Sequence, residues 1–142
     1  MKFIIVDDNK TFRDSVRFNL EKVHGYEVIG EAANGEEYFK LENWHLADII
    51  LMDIEMPKMD GITTVKKALF KNSTLKFIAV TSYRDKVYLN SLIFAGFRAC
   101  IFKDNFYDEI KNTVAQVMQN SLKFPGDILI ENSDVSKNKQ KN

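Results

Sequence analysis

Cysteine is nearly missing from this chain of 142 residues, where Cys100 stands alone. A single thiol can form neither an intrachain disulfide nor a thiolate metal cluster. Histidine is almost as scarce. His24 and His45 lie too far apart in sequence to make a metal motif, and both read as surface or helix-end residues. No apolar run approaches the roughly 18 residues of a membrane span. The apolar start at Phe3 meets Asp7 too soon to be a signal-peptide core, and no small-residue cleavage site follows. An excess of charge is missing too, since 20 basic residues offset 20 acidic ones. Nucleic-acid binding driven by bulk charge is thereby excluded, because phosphate recognition needs a clustered basic surface. What is left, at 45% hydrophobic and 28% charged residues, is the composition of an ordinary globular domain. Its length suffices to bury a real core. The expectation is a soluble, cytoplasmic protein that neither crosses a membrane nor binds nucleic acid directly.

Short apolar runs alternate with segments of helical period. The strand candidates are Phe3–Val6, Glu27–Glu31, Ile49–Met52, Phe77–Val80 and Ala99–Phe102. Between them, Phe12, Val16, Leu20 and Val23 mark one helical face, and Ile62, Val65 and Leu69 another. Val87, Asn90, Ser91 and Phe94 give a weaker third face; Ile110, Val114, Val117 and Met118 give the last. A short helix near Glu36–Glu42 is entered through the turn pair Asn34-Gly35. Gly25 and Gly96 sit where helix terminators are expected. Five βα units imply an α/β fold, a parallel sheet with helices on both faces. A closed barrel needs eight units, so the expected fold is a doubly wound, flavodoxin-like sheet of five strands in order 2-1-3-4-5 with five helices.

The alternation stops after Leu122. "KFPGDILIENSDVSKNKQKN" opens on a Pro-Gly break and ends in a Ser/Asn/Lys-rich tail. The expectation is a folded unit over 1–122 and an extension over 123–142, mobile beyond Asn132. Phe124 and Ile128–Ile130 are apolar enough to fold back. The lysines at 137, 139 and 141 read as a solubilising tail.

In an open parallel sheet, ligands sit beyond the carboxyl ends of the strands. The first strand runs into the adjacent carboxylates Asp7 and Asp8. The third delivers Asp53, the fourth Thr81 and Ser82, the fifth Lys103. Like charges raise each other's cost of ionisation, so a doubled aspartate asks for a cation. Three converging carboxylates suit a hard dication such as Mg²⁺, which takes one or two protein carboxylates and keeps several waters. One carboxylate is then free to accept a phosphoryl group as an acyl phosphate. Lys103 would offset charge on the transferred oxygens, and Thr81 would donate a hydrogen bond to one of them. Plainer readings exist for each residue. Asp7 and Asp8 could be a solvated turn with Asn9 capping the first helix, and Thr81 and Ser82 could cap the fourth. Lys103 could be a lysine paired to the acidic cluster, Trp44 a packing residue in a loop, and Cys100 an inert core residue.

The pattern "IIVDDN…ILMDIEMPKMDG…AVTS…FKD" resembles the receiver domain of bacterial two-component response regulators, from Lys2 to about Leu122. The spacings agree with that family: 45 residues from Asp8 to Asp53, 28 to Thr81 and 22 to Lys103. The resemblance implies that Asp53 accepts the phosphoryl group from a histidine kinase or phosphotransfer protein. It implies that Asp8, Asp53 and the main-chain carbonyl of Glu55 bind Mg²⁺ directly, with Asp7 reaching it through water. Thr81 and Lys103 would contact the phosphoryl oxygens, and Pro57 and Gly61 would shape the loop after the acceptor. Such a protein catalyses its own phosphorylation and dephosphorylation, switches a surface of the fourth helix, fifth strand and fifth helix, and can dimerise when phosphorylated.

Two positions depart from the pattern. Many receivers have proline after the lysine; here Asp104 follows Lys103. "AGFRACIFKDN" is instead similar to receivers joined to a helix-turn-helix DNA-binding domain; these 142 residues contain no second domain, which leaves open a stand-alone protein or part of a longer chain. Three positions before the lysine, where receivers usually carry Tyr or Phe, stands Cys100. Glu55 and Tyr83 hold the positions that tune water access to the acyl phosphate. The alternatives are a pseudo-receiver that binds partners without phosphorylation, and the receiver part of a longer DNA-binding transcriptional regulator. Phosphatases of the haloacid-dehalogenase type also use an aspartyl phosphate, but they need two aspartates separated by one residue, and here the pair is adjacent.

Overall fold

Short apolar runs become the strands, buried on both faces in the middle of the sheet and half-exposed in the edge strand EVIGEA. In this computed structural model, which describes residues 1–126, they are β1 (Lys2–Val6), β2 (Glu27–Ala32), β3 (Ile49–Met52), β4 (Phe77–Thr81) and β5 (Ala99–Phe102). Among the described residues they form one parallel sheet in the order β2-β1-β3-β4-β5, as the alternation predicts. The helices are α1 (Lys10–Phe18), α2 (Gly35–Lys40), α3 (Gly61–Lys71), α4 (Lys86–Ala95) and α5 (Phe106–Met118). Alternate strand residues feed two cores. Ile4, Val6, Ile50, Met52 and Ala79 pack with α3 and α4 on one side. Phe3, Ile5, Leu51, Ile78 and Val80 pack with α1 and α5 on the other.

Helix starts are set by side-chain caps, which satisfy otherwise orphaned N–H groups. Asn9, Asn34, Asp60 and Asp85 accept from Phe12, Glu37, Thr63 and Tyr88 respectively. The cap of α4 is thus Asp85, not Thr81 or Ser82.

Three assignments of helical faces need correction. On α4 the buried residues are Leu89, Leu92 and Ala95, whereas Val87 is 83% and Phe94 67% exposed. Both stripes satisfy the helical period. The wholly apolar one faces the sheet, and Asn90 and Ser91 kept the other out. Val23 is exposed rather than on the α1 face. A π-helical turn over Asn19–Val23, closed by His24 N–H to the Asn19 carbonyl, adds a residue to the turn and rotates Val23 to solvent. Met118 lies outside the buried stripe of Ile110, Val114 and Val117. The short helix is Gly35–Lys40, and Leu41 already has extended backbone. Trp44 packs edge-on to Tyr38 and Phe39, as a packing residue should.

After α5 the chain turns back to β5, and Phe124 is buried. The expected mobility beyond Asn132, the fold-back of Ile128–Ile130 and the lysine tail concern residues outside those described.

Candidate functional site

Register places the strand ends side by side. Val6 pairs with Met52, Met52 with Ala79, and Thr81 with Phe102. Each residue just past a strand therefore emerges on one edge of the sheet. The ladder even continues for one step, with Asp53 N–H donating to the Val6 carbonyl at 2.8 Å and Asp7 N–H to that of Ala32 at 3.0 Å. Asp7 and Asp53 are thus held by backbone before their side chains do anything.

The carboxylates of Asp7, Asp8 and Asp53 each offer an oxygen within 4.8 Å of the others. Asp7 and Asp53 are buried and Asp8 is exposed. Lys103 reaches over from the end of β5, its ammonium 2.9 Å from Asp7 Oδ2 and 3.6 Å from Asp53 Oδ2. The same ammonium lies over the Phe12 ring, 4.7 Å from its centre. Asp53 Oδ1 accepts from Ile54 N–H at 2.8 Å, and Asp7 Oδ1 from Asn9 N–H at 2.8 Å. The second oxygen of Asp7 is buried, and the Lys103 ammonium is its partner.

One ammonium against three carboxylates leaves the cluster short of positive charge. Burial pushes the Asp53 carboxyl up to about 7, with the neighbouring charge of Asp7 adding to it and Lys103 working against it. For Lys103, burial acts to lower the pKa, but its bond to Asp7 and the charges of Asp53 and Asp7 outweigh that and leave it raised. Oxygen donors at close range and a deficit of positive charge fit a hard divalent cation such as Mg²⁺.

The loop from β3 to α3 forms the rim. Asp8, Glu55, Met56, Pro57 and Asp60 line one open cavity beside the acidic cluster. Lys58 has φ 66°, and Met59 N–H reaches back to the Pro57 carbonyl at 2.7 Å, a tight three-residue turn in a region that non-glycine residues avoid. Gly61 N–H closes the loop on the Ile54 carbonyl at 2.7 Å.

Thr81 ends β4, buried, and its hydroxyl accepts from Tyr83 N–H at 3.1 Å. It has no hydrogen bond to the aspartates in this arrangement. Tyr83 leans across the rim, donating its phenol to Glu55 Oε2 at 2.7 Å. Every site residue expected from sequence therefore lies at this edge. Burial sets the Cys100 thiol to about 12, with the charge of Glu109 adding to it, as befits an inert core residue.

Two residues at this edge escaped the sequence reading. Arg13 donates to the main-chain carbonyl of Asp7 at 2.6 Å and to Glu31 at 3.2 Å, so it pins the acidic turn from α1. Arg84 forks onto both oxygens of Asp104, at 2.6 and 2.7 Å, with its guanidinium 4.0 Å above the Phe102 ring. Asp104, standing where many receivers have proline, thereby ties the β4–α4 loop to the start of α5. Neither arginine has a local signal in the sequence, because each partner lies on another element.

A family model described as response regulator receiver domain matches residues 3–115. The chain is 36% identical over 113 residues to an uncharacterized transcriptional regulatory protein, YhcZ, of Bacillus subtilis (strain 168), covering 80% of this chain and 53% of that protein. It is 30% identical over 128 residues to the transcriptional regulatory protein YdfI of the same organism, covering 90% of this chain and 60% of that one. It thus spans little more than half the length of these curated relatives. Its fold matches the crystal structure of a two-component response regulator, LuxR family, from Aurantimonas sp. SI85-9A1, with a TM-score of 0.82 at 21% identity over 95% of this chain and 96% of that one.

Proposed function

The chain belongs to the response-regulator receiver family, and from that premise we propose that it is a phosphorylation-driven switch whose acceptor is Asp53. The observation that carries this is the buried Asp53 carboxylate, flanked by Asp7, Asp8 and the Lys103 ammonium on one sheet edge.

Receiver domains of this family typically bind Mg²⁺. Here Asp8, Asp53 and the Glu55 main-chain carbonyl would hold it, with Asp7 reaching it through water. When bound, the ion supplies positive charge to neutralise the phosphoryl oxygens. An oxygen of Asp53 attacks the phosphorus of a phosphohistidine on a sensor histidine kinase or phosphotransfer protein. The O–P bond forms, the P–N bond breaks, and the imidazole leaves with the electron pair. Lys103 balances the growing charge, and Thr81 turns its hydroxyl from Tyr83 N–H to a phosphoryl oxygen. Hydrolysis of the acyl phosphate resets the switch, so both steps are the chain's own chemistry.

Among the described residues, no helix is long and apolar enough to cross a membrane, which supports a cytoplasmic protein. Residues 1–122 make up the receiver unit in this reading and 123–142 an extension. The output is a downstream target protein, with a homodimer as one phosphorylated form. The lengths and names of the relatives support a place in a longer transcriptional regulator as the second reading.

Incubation with Mg²⁺ and acetyl phosphate tests the acceptor. The intact mass should rise by one phosphoryl group. A wild-type chain that takes none at any Mg²⁺ concentration is a pseudo-receiver instead.

Tyr83 and Glu55 are bonded to each other at the rim, and in this reading they shield the acceptor from water, so the phosphorylated form of Tyr83→Ala should lose its phosphoryl group several-fold faster than wild type. The check is decay of the adduct mass after the phosphodonor is removed. Equal or slower decay in the variant would refute the shielding role.

A further inference from the structure

In the described sheet β5 is an edge strand, and the chain itself covers part of that edge. Lys123 N–H donates to the Arg98 carbonyl at 3.0 Å, and Cys100 N–H donates to the Lys123 carbonyl at 3.0 Å, which makes a parallel bridge at Ala99. Phe124, only 4% exposed, joins the core on the α4 side together with Cys100, 5% exposed. The ring also borders a cavity that it shares with the β4–α4 loop and the end of β5. Arg84, Cys100, Phe102, Lys123 and Phe124 line one cavity.

We propose that Lys123–Pro125 is a displaceable strap, seated on β5 while Asp53 is unmodified and loosened once Asp53 carries a phosphoryl group. The proposal rests on the acceptor reading above. Its geometry is a short relay of contacts. Thr81 holds Tyr83 N–H, and the next residue, Arg84, clamps Asp104 and lies on Phe102 at the wall of the ring's seat. Phe102 is followed directly by Lys103, which the acidic cluster holds. When Thr81 and Lys103 both turn to phosphoryl oxygens, the β4–α4 loop and the end of β5 are drawn towards Asp53 and the wall made by Arg84 and Phe102 is pulled off Phe124. Among the described residues a single bridge and one ring hold the strap, whereas each strand of the sheet is paired along its length, so the strap gives way first. The small side chain at position 100 is what leaves room for Phe124 beside β5.

Cys100 is the only thiol in the chain, so its modification by an aromatic disulfide reagent reads the seat directly in the full-length protein. Phe124→Ala should label at least tenfold faster than wild type, and Phe124→Leu, which keeps an apolar plug, close to the wild-type rate. Wild type carrying the phosphoryl group, verified by intact mass, should label several-fold faster than the unmodified chain. Asp53→Asn should label slowly with or without acetyl phosphate. Hydrogen exchange at the Cys100 and Lys123 amides, faster in the phosphorylated wild type, carries the test should Phe124→Ala fail to fold. An adduct without any change in labelling or exchange overturns the strap and leaves the acceptor standing. Absence of the adduct removes both.

Discussion

Asp53→Asn should abolish phosphoryl acceptance and yet stabilise the metal-free protein at pH 8. The loss follows because an amide nitrogen and oxygen cannot form the acyl phosphate. The gain follows from linkage. Burial and the charge of Asp7 raise the Asp53 carboxyl from 3.8 to about 7 in the fold. Between those values the folded chain binds more protons than the unfolded one, so stability falls as pH rises through the window and the loss is complete above it. At about 1.4 kcal/mol per unit, the ionised, metal-free site is destabilising by on the order of 4 kcal/mol. Asparagine keeps the oxygen that accepts from Ile54 N–H and removes the charge. The two proteins should therefore melt together near pH 4 with a chelator present. They should separate progressively up to pH 8, where the variant melts higher, and Mg²⁺ should close the gap by stabilising wild type alone. Coincident melting curves at pH 8 without metal would contradict the electrostatic account. Phosphoryl uptake by the variant would place the acceptor elsewhere.

The second large effect is expected at Gly61. A Cβ there would overlap the carbonyl oxygen of Asp53 and press on the Cα of Ile54. Both are backbone atoms, and the loop is already closed by Gly61 N–H on the Ile54 carbonyl, so no side chain can swing aside. Gly61→Ala should cost about 2–4 kcal/mol and weaken Mg²⁺ binding, because relief can come only by moving the acceptor's own main chain. Gly25→Ala is the control. Its φ is +70° but no atom lies within 4 Å of the added carbon, so it should cost only about 1–2 kcal/mol and leave Mg²⁺ affinity unchanged. Urea denaturation and calorimetric Mg²⁺ titration measure both. Equal losses at the two positions, with Mg²⁺ affinity unchanged at both, would show that crowding against the Asp53 carbonyl carries no special cost.

Strand identity and the convergence of the candidate residues were legible because one physical rule serves both. A run buried on two faces must be apolar, so the first polar residue after it marks the sheet edge, and Asp7, Asp53, Thr81 and Lys103 all announce themselves in that way. Helix phase was less legible. On α4 two stripes share the period, and the choice between Leu89 and Val87 is made by the polar residues between Val87 and Phe94 together with the sheet beneath. Val23 was beyond reach because a π-helical turn leaves no mark in a 3.6-residue pattern. Arg13 and Arg84 were hidden for another reason. The first bonds a backbone carbonyl and the second bridges two loops, and neither partnership has a sequence spacing. Phe124 could be read as apolar, but its seat exists only once β5 and α4 are in place.

The order of the strands has a consequence for how the protein matures. Asp7 and Lys103 lie 96 positions apart in the chain, with Asp53 between them just past the end of β3, which pairs with β1. Such distant pairings form late, after the entropy of closing long loops has been overcome. A chain still emerging from the ribosome can present the acceptor aspartate long before its lysine exists. In the proposed switch only the finished sheet can be charged with phosphate, so an unfinished copy stays silent.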